Sequence, residues 1–154
     1  MHEADLYIFL KILVIIVLAG SIGWERESAG KAAGLRTHIL VGVSSMLFVV
    51  IGEIFIQRFS EVGEQMRFDP VRIVEAVVTG ISFLGAGMIF ARGKDNVSGL
   101  TTAASILATA AIGMIVGLER YVLAVGATII VFIVLHLVNI IERERSDSDG
   151  ETQT

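Results

Sequence analysis

Five apolar runs, each close to the length of a bilayer-crossing helix, divide this 154-residue sequence: 6–24, 39–56, 73–91, 100–118 and 121–141. At 1.5 Å of rise per residue, about 20 apolar residues match the hydrocarbon thickness of a membrane. A soluble domain of this size could not hide five such runs. The predicted fold class is therefore all-α, a polytopic transmembrane helical bundle over residues 1–141, followed by a polar tail over 142–154 expected to be disordered. Composition points the same way: 18% of residues are charged, against about 25% in soluble domains, and the mean hydropathy is +0.76. Sixteen glycines suit close approach between membrane helices.

Several chemistries are excluded by composition alone. There is no cysteine, so no disulfide or thiolate site forms. Three scattered histidines give neither zinc-ligand spacing nor a nucleophile–base pair, and no enzyme is predicted. A net charge of −4 offers no nucleic-acid surface. The acidic residues Glu3 and Asp5 ahead of the first run argue against a cleaved signal peptide.

Orientation follows from Lys and Arg in the connecting segments. Arg58, Arg67, Arg72 and Arg120 lie on one side; Arg26, Lys31, Arg36, Arg92, Lys94, Arg143 and Arg145 lie on the other. The N-terminus is expected outside and the C-terminus in the cytoplasm. An internal repeat accompanies this topology. Gly20, Gly34, Leu35, Thr37 and Gly52 recur as Gly85, Gly99, Leu100, Thr102 and Gly117 at one offset of 65. Spans one–two and three–four are thus expected to form parallel hairpin repeats about an axis along the membrane normal, with the fifth span added.

Polar residues concentrate at the two membrane faces. On the cytoplasmic side the stretch "GWERESAGKAAGLRTH" supplies Glu25, Arg26, Glu27, Lys31, Arg36, Thr37 and His38; the second loop supplies Asp95, Thr101 and Thr102. Glycines permit tight turns there, and helix N-termini near Leu35 and Leu100 favour anions. Thr37, Thr101 and Ser98 are candidate caps. The loops are expected to form one site in which Arg36 neighbours Glu25. On the outer face, Lys11, Glu53 and Glu75 sit at similar depth, where a Lys–Glu ion pair would lower the cost of each charge; Asp69 precedes Pro70 as a helix start. Near the span midpoints only hydroxyls occur, among them Ser44, Ser45, Ser82, Thr109 and Thr128. The missing mid-depth carboxylates disfavour a simple cation carrier, while the repeat favours a transporter.

The segments "GWERESAGKAAGLRTHILV", "DPVRIVEAVVTGISFLGAG" and "GLTTAASI" resemble the membrane domain of the MgtC/SapB family, over nearly the whole chain. Ser82 and Leu107 depart from its usual glycine and aromatic, and a short tail stands where many members carry a soluble C-terminal domain. The resemblance implies a multi-pass bacterial inner-membrane protein linked to growth in low magnesium and, in pathogens, to survival inside host cells. It further implies a partner membrane complex such as ATP synthase. No resident cofactor is expected; Mg²⁺ is the one ion the resemblance raises. Besides the lipid bilayer, the expected partner is a second copy of the chain. Two small-residue stripes, Ala76/Gly80 and Thr109/Gly113/Gly117, would serve one contact inside the protomer and one between copies of a C₂ homodimer.

Overall fold

A computed structural model of the chain describes residues 3–59, 69–90 and 99–151, with side chains over 3, 5–58, 69–89 and 99–137. Five helices are arranged in the order α1 (Glu3–Ser28), α2 (Leu35–Phe59), α3 (Pro70–Phe90), α4 (Leu100–Gly117) and α5 (Tyr121–Glu151). The first four are long and apolar enough to cross a membrane, and α5 adds the shorter apolar stretch Tyr121–Leu137. The protein is a helical membrane bundle. Its ends are called inner and outer after the expected orientation.

Helix ends explain why the helices outrun the apolar runs. At the end of α1, Gly30 takes a left-handed φ of 66°. Gly30 N–H then donates to the Glu27 carbonyl and Lys31 N–H to that of Arg26, both at 3.0 Å, so otherwise orphaned carbonyls are satisfied. The charged residues 25–27 are thereby drawn into the last helical turn. At the far end of the chain α5 continues to Glu151, where residues 142–154 were expected to be disordered. The segment "ERERS" consists largely of good helix formers.

The repeat is visible in the backbone. Helices α2 and α4 open at Leu35 and Leu100, 65 positions apart, and each first turn is closed the same way. His38 N–H donates to Gly34 O at 3.2 Å, and Ala103 N–H donates to Gly99 O at 2.8 Å. Gly20 faces Ile39 and Leu35 across the first hairpin, and its counterpart Gly85 faces Ala103 across the second.

Helix α4 is the hub, touching each of the other four. Its parallel crossing with α2 is the tightest contact: a Cβ on Gly113 would overlap the Gly42 carbonyl oxygen, and one on Gly117 would meet Val49 Cβ at 2.8 Å. The Thr109/Gly113/Gly117 stripe therefore packs inside the protomer. Ile15, Ile22, Met46, Ile112 and Val116 fill the core around this crossing. Because lipid is as apolar as these side chains, close packing and polar links, rather than escape from water, hold the helices together. Helix α3 is peripheral. Only 11% of its apolar window is buried, against 50% for α4, and an apolar slot of about 580 Å³ separates α3 from α2 between Phe48, Phe55 and Ile73.

Candidate functional site

At the inner end the last turn of α1 directs three charged residues to three tasks. Arg26 is buried, with 1% of its side chain exposed. Its Nε and Nη2 donate to the two carboxylate oxygens of Glu25 at 2.5 and 2.8 Å, and Nη2 also donates to the Leu135 carbonyl of α5 at 3.1 Å. A buried guanidinium needs such partners, since an unpaired charge in this environment costs several kcal/mol. Glu25 is thus gripped by Arg26 rather than by Arg36, which is exposed. The expectation that Arg36 and Glu25 pair is corrected accordingly: two adjacent residues share one fork because it brings Arg26 into reach of α5.

Glu27 crosses the loop instead. Its Oε2 accepts Leu35 N–H at 2.8 Å, so a carboxylate caps the positive N-terminus of α2. A Cβ on Gly34 would lie 2.5 Å from that oxygen, which explains the glycine. The cap expected from Thr37 falls to Glu27. At α4, Gly99 takes the cap position with φ 96° and no side-chain cap bond, so Thr101 does not cap either. Ser98 and Asp95, with Arg92 and Lys94, lie outside the described residues.

His38 is fully buried between α2 and α4. Its Nδ1 lies 2.9 Å from Gly34 O and its Nε2 3.1 Å from Ser105 Oγ. A carbonyl only accepts, so Nδ1 carries a proton. In the neutral ring Nε2 then accepts, and the single Ser105 hydroxyl proton serves either Nε2 or the Thr102 carbonyl at 2.8 Å. Gly23 makes this arrangement possible: a Cβ there would meet Leu35 Cα at 2.8 Å and His38 Cβ at 3.0 Å. Lys31, Thr37 and Thr101 are half-buried around the cluster, and Thr102 is buried within it. Sequence reasoning missed Ser105 and the Leu135 carbonyl as partners. Ser105 lies three positions after Thr102, on the same helix face, which was the available clue.

The outer cluster is smaller and differently composed. Lys11 is buried in α1, and its Nζ lies 4.0 Å from Glu53 Oε2, 2.9 Å from Glu119 Oε1 and 3.0 Å from Gly117 O. The expected Lys–Glu link between helices exists, with Glu119 as its nearer partner. Glu119 sits in the α4–α5 turn with a left-handed φ of 61°, and Arg120 N–H donates to Ile115 O at 3.1 Å to finish α4. Asp69 and Glu75 stand apart from this cluster. Asp69 caps α3, its Oδ1 accepting Val71 N–H at 3.0 Å, and Glu75 is exposed.

Between the clusters two of the hydroxyls are consumed locally. Thr109 donates to Ser105 O at 2.9 Å and Thr128 to Ala124 O at 2.8 Å, each one turn back in its own helix. Among the described residues, no group of three His, Cys, Asp or Glu side chains could hold a metal ion.

Comparison with known proteins places this architecture. The model of the MgtC family matches residues 12–144. YhiD of Escherichia coli is 41% identical over 130 residues, covering 83% of this chain and 59% of that protein. SapB of Bacillus subtilis is 32% identical over 126 residues, covering 82% and 54%. MgtC of Brucella abortus is 39% identical over 118 residues, covering 77% and 45%. The chain thus spans about half the length of the curated relatives it matches, and no solved structure matches it. A family match across most of the chain, carried by the same five-helix membrane segment, settles its membership: the chain belongs to the MgtC family.

Proposed function

We propose that this is a magnesium-related membrane protein that supports adaptation to low magnesium by binding another membrane complex, such as ATP synthase, in the bacterial inner membrane, with its N-terminus outside. It performs no catalysis. The observation that carries this reading is the use of the buried polar groups. Arg26, His38, Lys11 and Thr109 each satisfy a structural bond, and the described bundle has no ionisable side chain at mid-depth to mark an ion path. Exposed Arg36 then becomes a residue free to meet a partner at the inner surface.

The second reading is a transporter, favoured by the hairpin repeat and by the name of the Escherichia coli relative, "Putative magnesium transporter YhiD". Growth in low magnesium and Mg²⁺ uptake, measured together in Arg36→Ala, Ser82→Ala and Thr109→Val, separate the two. The regulatory reading expects Arg36→Ala to lose growth support at normal protein level while the two mid-depth variants grow normally. Lost uptake in the mid-depth variants, with Arg36→Ala unaffected, would replace it with the transporter.

A further inference from the structure

Helix α3 turns a stripe of polar and small residues away from the bundle, with Arg72 at its edge bordering the slot toward α2. Arg72, Glu75, Thr79, Ser82 and Ala86 recur at alternating spacings of three and four, and all five are exposed. Residues Ile73, Val77, Ile81 and Gly85 on the opposite side face inward. On an α-helix the first set forms a nearly straight seam of the kind that two helices share in a left-handed pair. In a bilayer the inner part of this seam faces hydrocarbon, where hydroxyls are costly and normally turn toward protein or water, while Arg72 and Glu75 lie at its outer end near the membrane face. Thr79 relieves its own hydroxyl by donating to Glu75 O at 2.7 Å. At the outer end, exposed Arg72 and Glu75 make no ion pair among the described residues.

We propose that the stripe is covered by the same stripe of a second copy, giving a parallel, two-fold dimer through α3. The charges select this occupant. Two copies share one orientation in the membrane, so their α3 helices run parallel with equal residues at equal depth. Arg72 and Glu75 are about one turn apart, so Arg72 of each copy reaches the partner's Glu75, and both ion pairs form at once. The seam is self-complementary, as a C₂ interface requires. Below the charges, Thr79, Ser82 and Ala86 are small enough for the backbones to approach, and hydroxyls at such contacts bond across helices. The large exposed ring of Phe83 (80% exposed) lies beside the seam and flanks it. The proposal is independent of what the protein does for magnesium.

The chain has no cysteine, so single-cysteine variants report contacts cleanly. In native membranes, oxidation of Ser82→Cys and Ala86→Cys should give a disulfide-linked dimer. Ile130→Cys on α5, 64% exposed at its native side chain, should stay monomeric. In the Ser82→Cys background, Arg72→Glu or Glu75→Arg should each abolish the dimer band, and the double exchange should restore it. Cross-linking of Ser82→Cys no stronger than that of Ile130→Cys overturns the proposal. So does a cross-linked product of any mass other than the dimer, which would mean that a different protein covers α3. Failure of the double exchange to recover what the single exchanges lose also overturns it.

Discussion

Glu119 holds a backbone conformation that costs a non-glycine residue about 1–2 kcal/mol, in the position where helices commonly end on glycine. Its carboxylate meets Lys11 at 2.9 Å, so side-chain contact opposes backbone strain at one residue. Both Glu119→Ala and Glu119→Gly lose the carboxylate, and only the alanine keeps the strain. Thermal unfolding in detergent should therefore rank Glu119→Gly above Glu119→Ala by about 1 kcal/mol; equal stability would show that the turn relaxes. Arg26 belongs to a different regime because both members of its pair are shielded, at 1% and 6% exposure. Arg26→Ala should cost about 3–5 kcal/mol by removing the buried guanidinium that bonds both Glu25 and the Leu135 carbonyl. Adding Glu25→Ala should recover part of that loss in the same unfolding measurement. The Lys11–Glu53 link was legible from sequence because depth along a helix comes directly from counting residues. Glu119 was not, because a left-handed turn redirects a side chain in a way no periodicity records. The Arg26–Glu25 fork was equally hidden, since adjacent helical positions ordinarily diverge.

At the scale of the helices, hydropathy located the five described helices, and the common offset of Gly34 and Gly99 located two helix starts. Hydropathy carries no signal beyond the last apolar residue of a span, so the polar ends of α1 and the continuation of α5 past 141 went unread. It is equally blind to which helix occupies the centre, because α3 and α4 are both apolar and only packing distinguishes them. The stripe Thr109/Gly113/Gly117 did signal a close contact, and its steric basis makes a sharp test. Gly113→Ala should drive α2 and α4 apart at the Gly42 carbonyl and lower the melting temperature markedly. Gly126→Ala, where nothing lies within 4 Å of the added carbon, should hold or raise stability by up to about 1 kcal/mol through helix propensity. Similar melting temperatures for the two variants would remove the α2–α4 crossing as the keystone of the bundle.

For the molecule as a whole, α1 carries a buried cation toward each end, and each cation ends on a main-chain oxygen far along the chain. Lys11 reaches Gly117 across 106 residues, and Arg26 reaches Leu135 across 109. Since the N-terminal helix leaves the ribosome first, it enters the bilayer with both bonds unmade. At ordinary synthesis rates the wait for those acceptors is roughly 5–20 s. During that interval α1 is an insertion intermediate with buried donors still lacking acceptors, and the arrival of α5 is the event that completes it. Quality control should be able to read this difference: chains stopped after residue 118 should be cleared from the membrane faster than full-length chains in a pulse–chase. Replacing Arg26 by Leu together with Glu25 by Ala in the truncated chain should prolong its lifetime, even though the same double replacement shortens that of the finished protein.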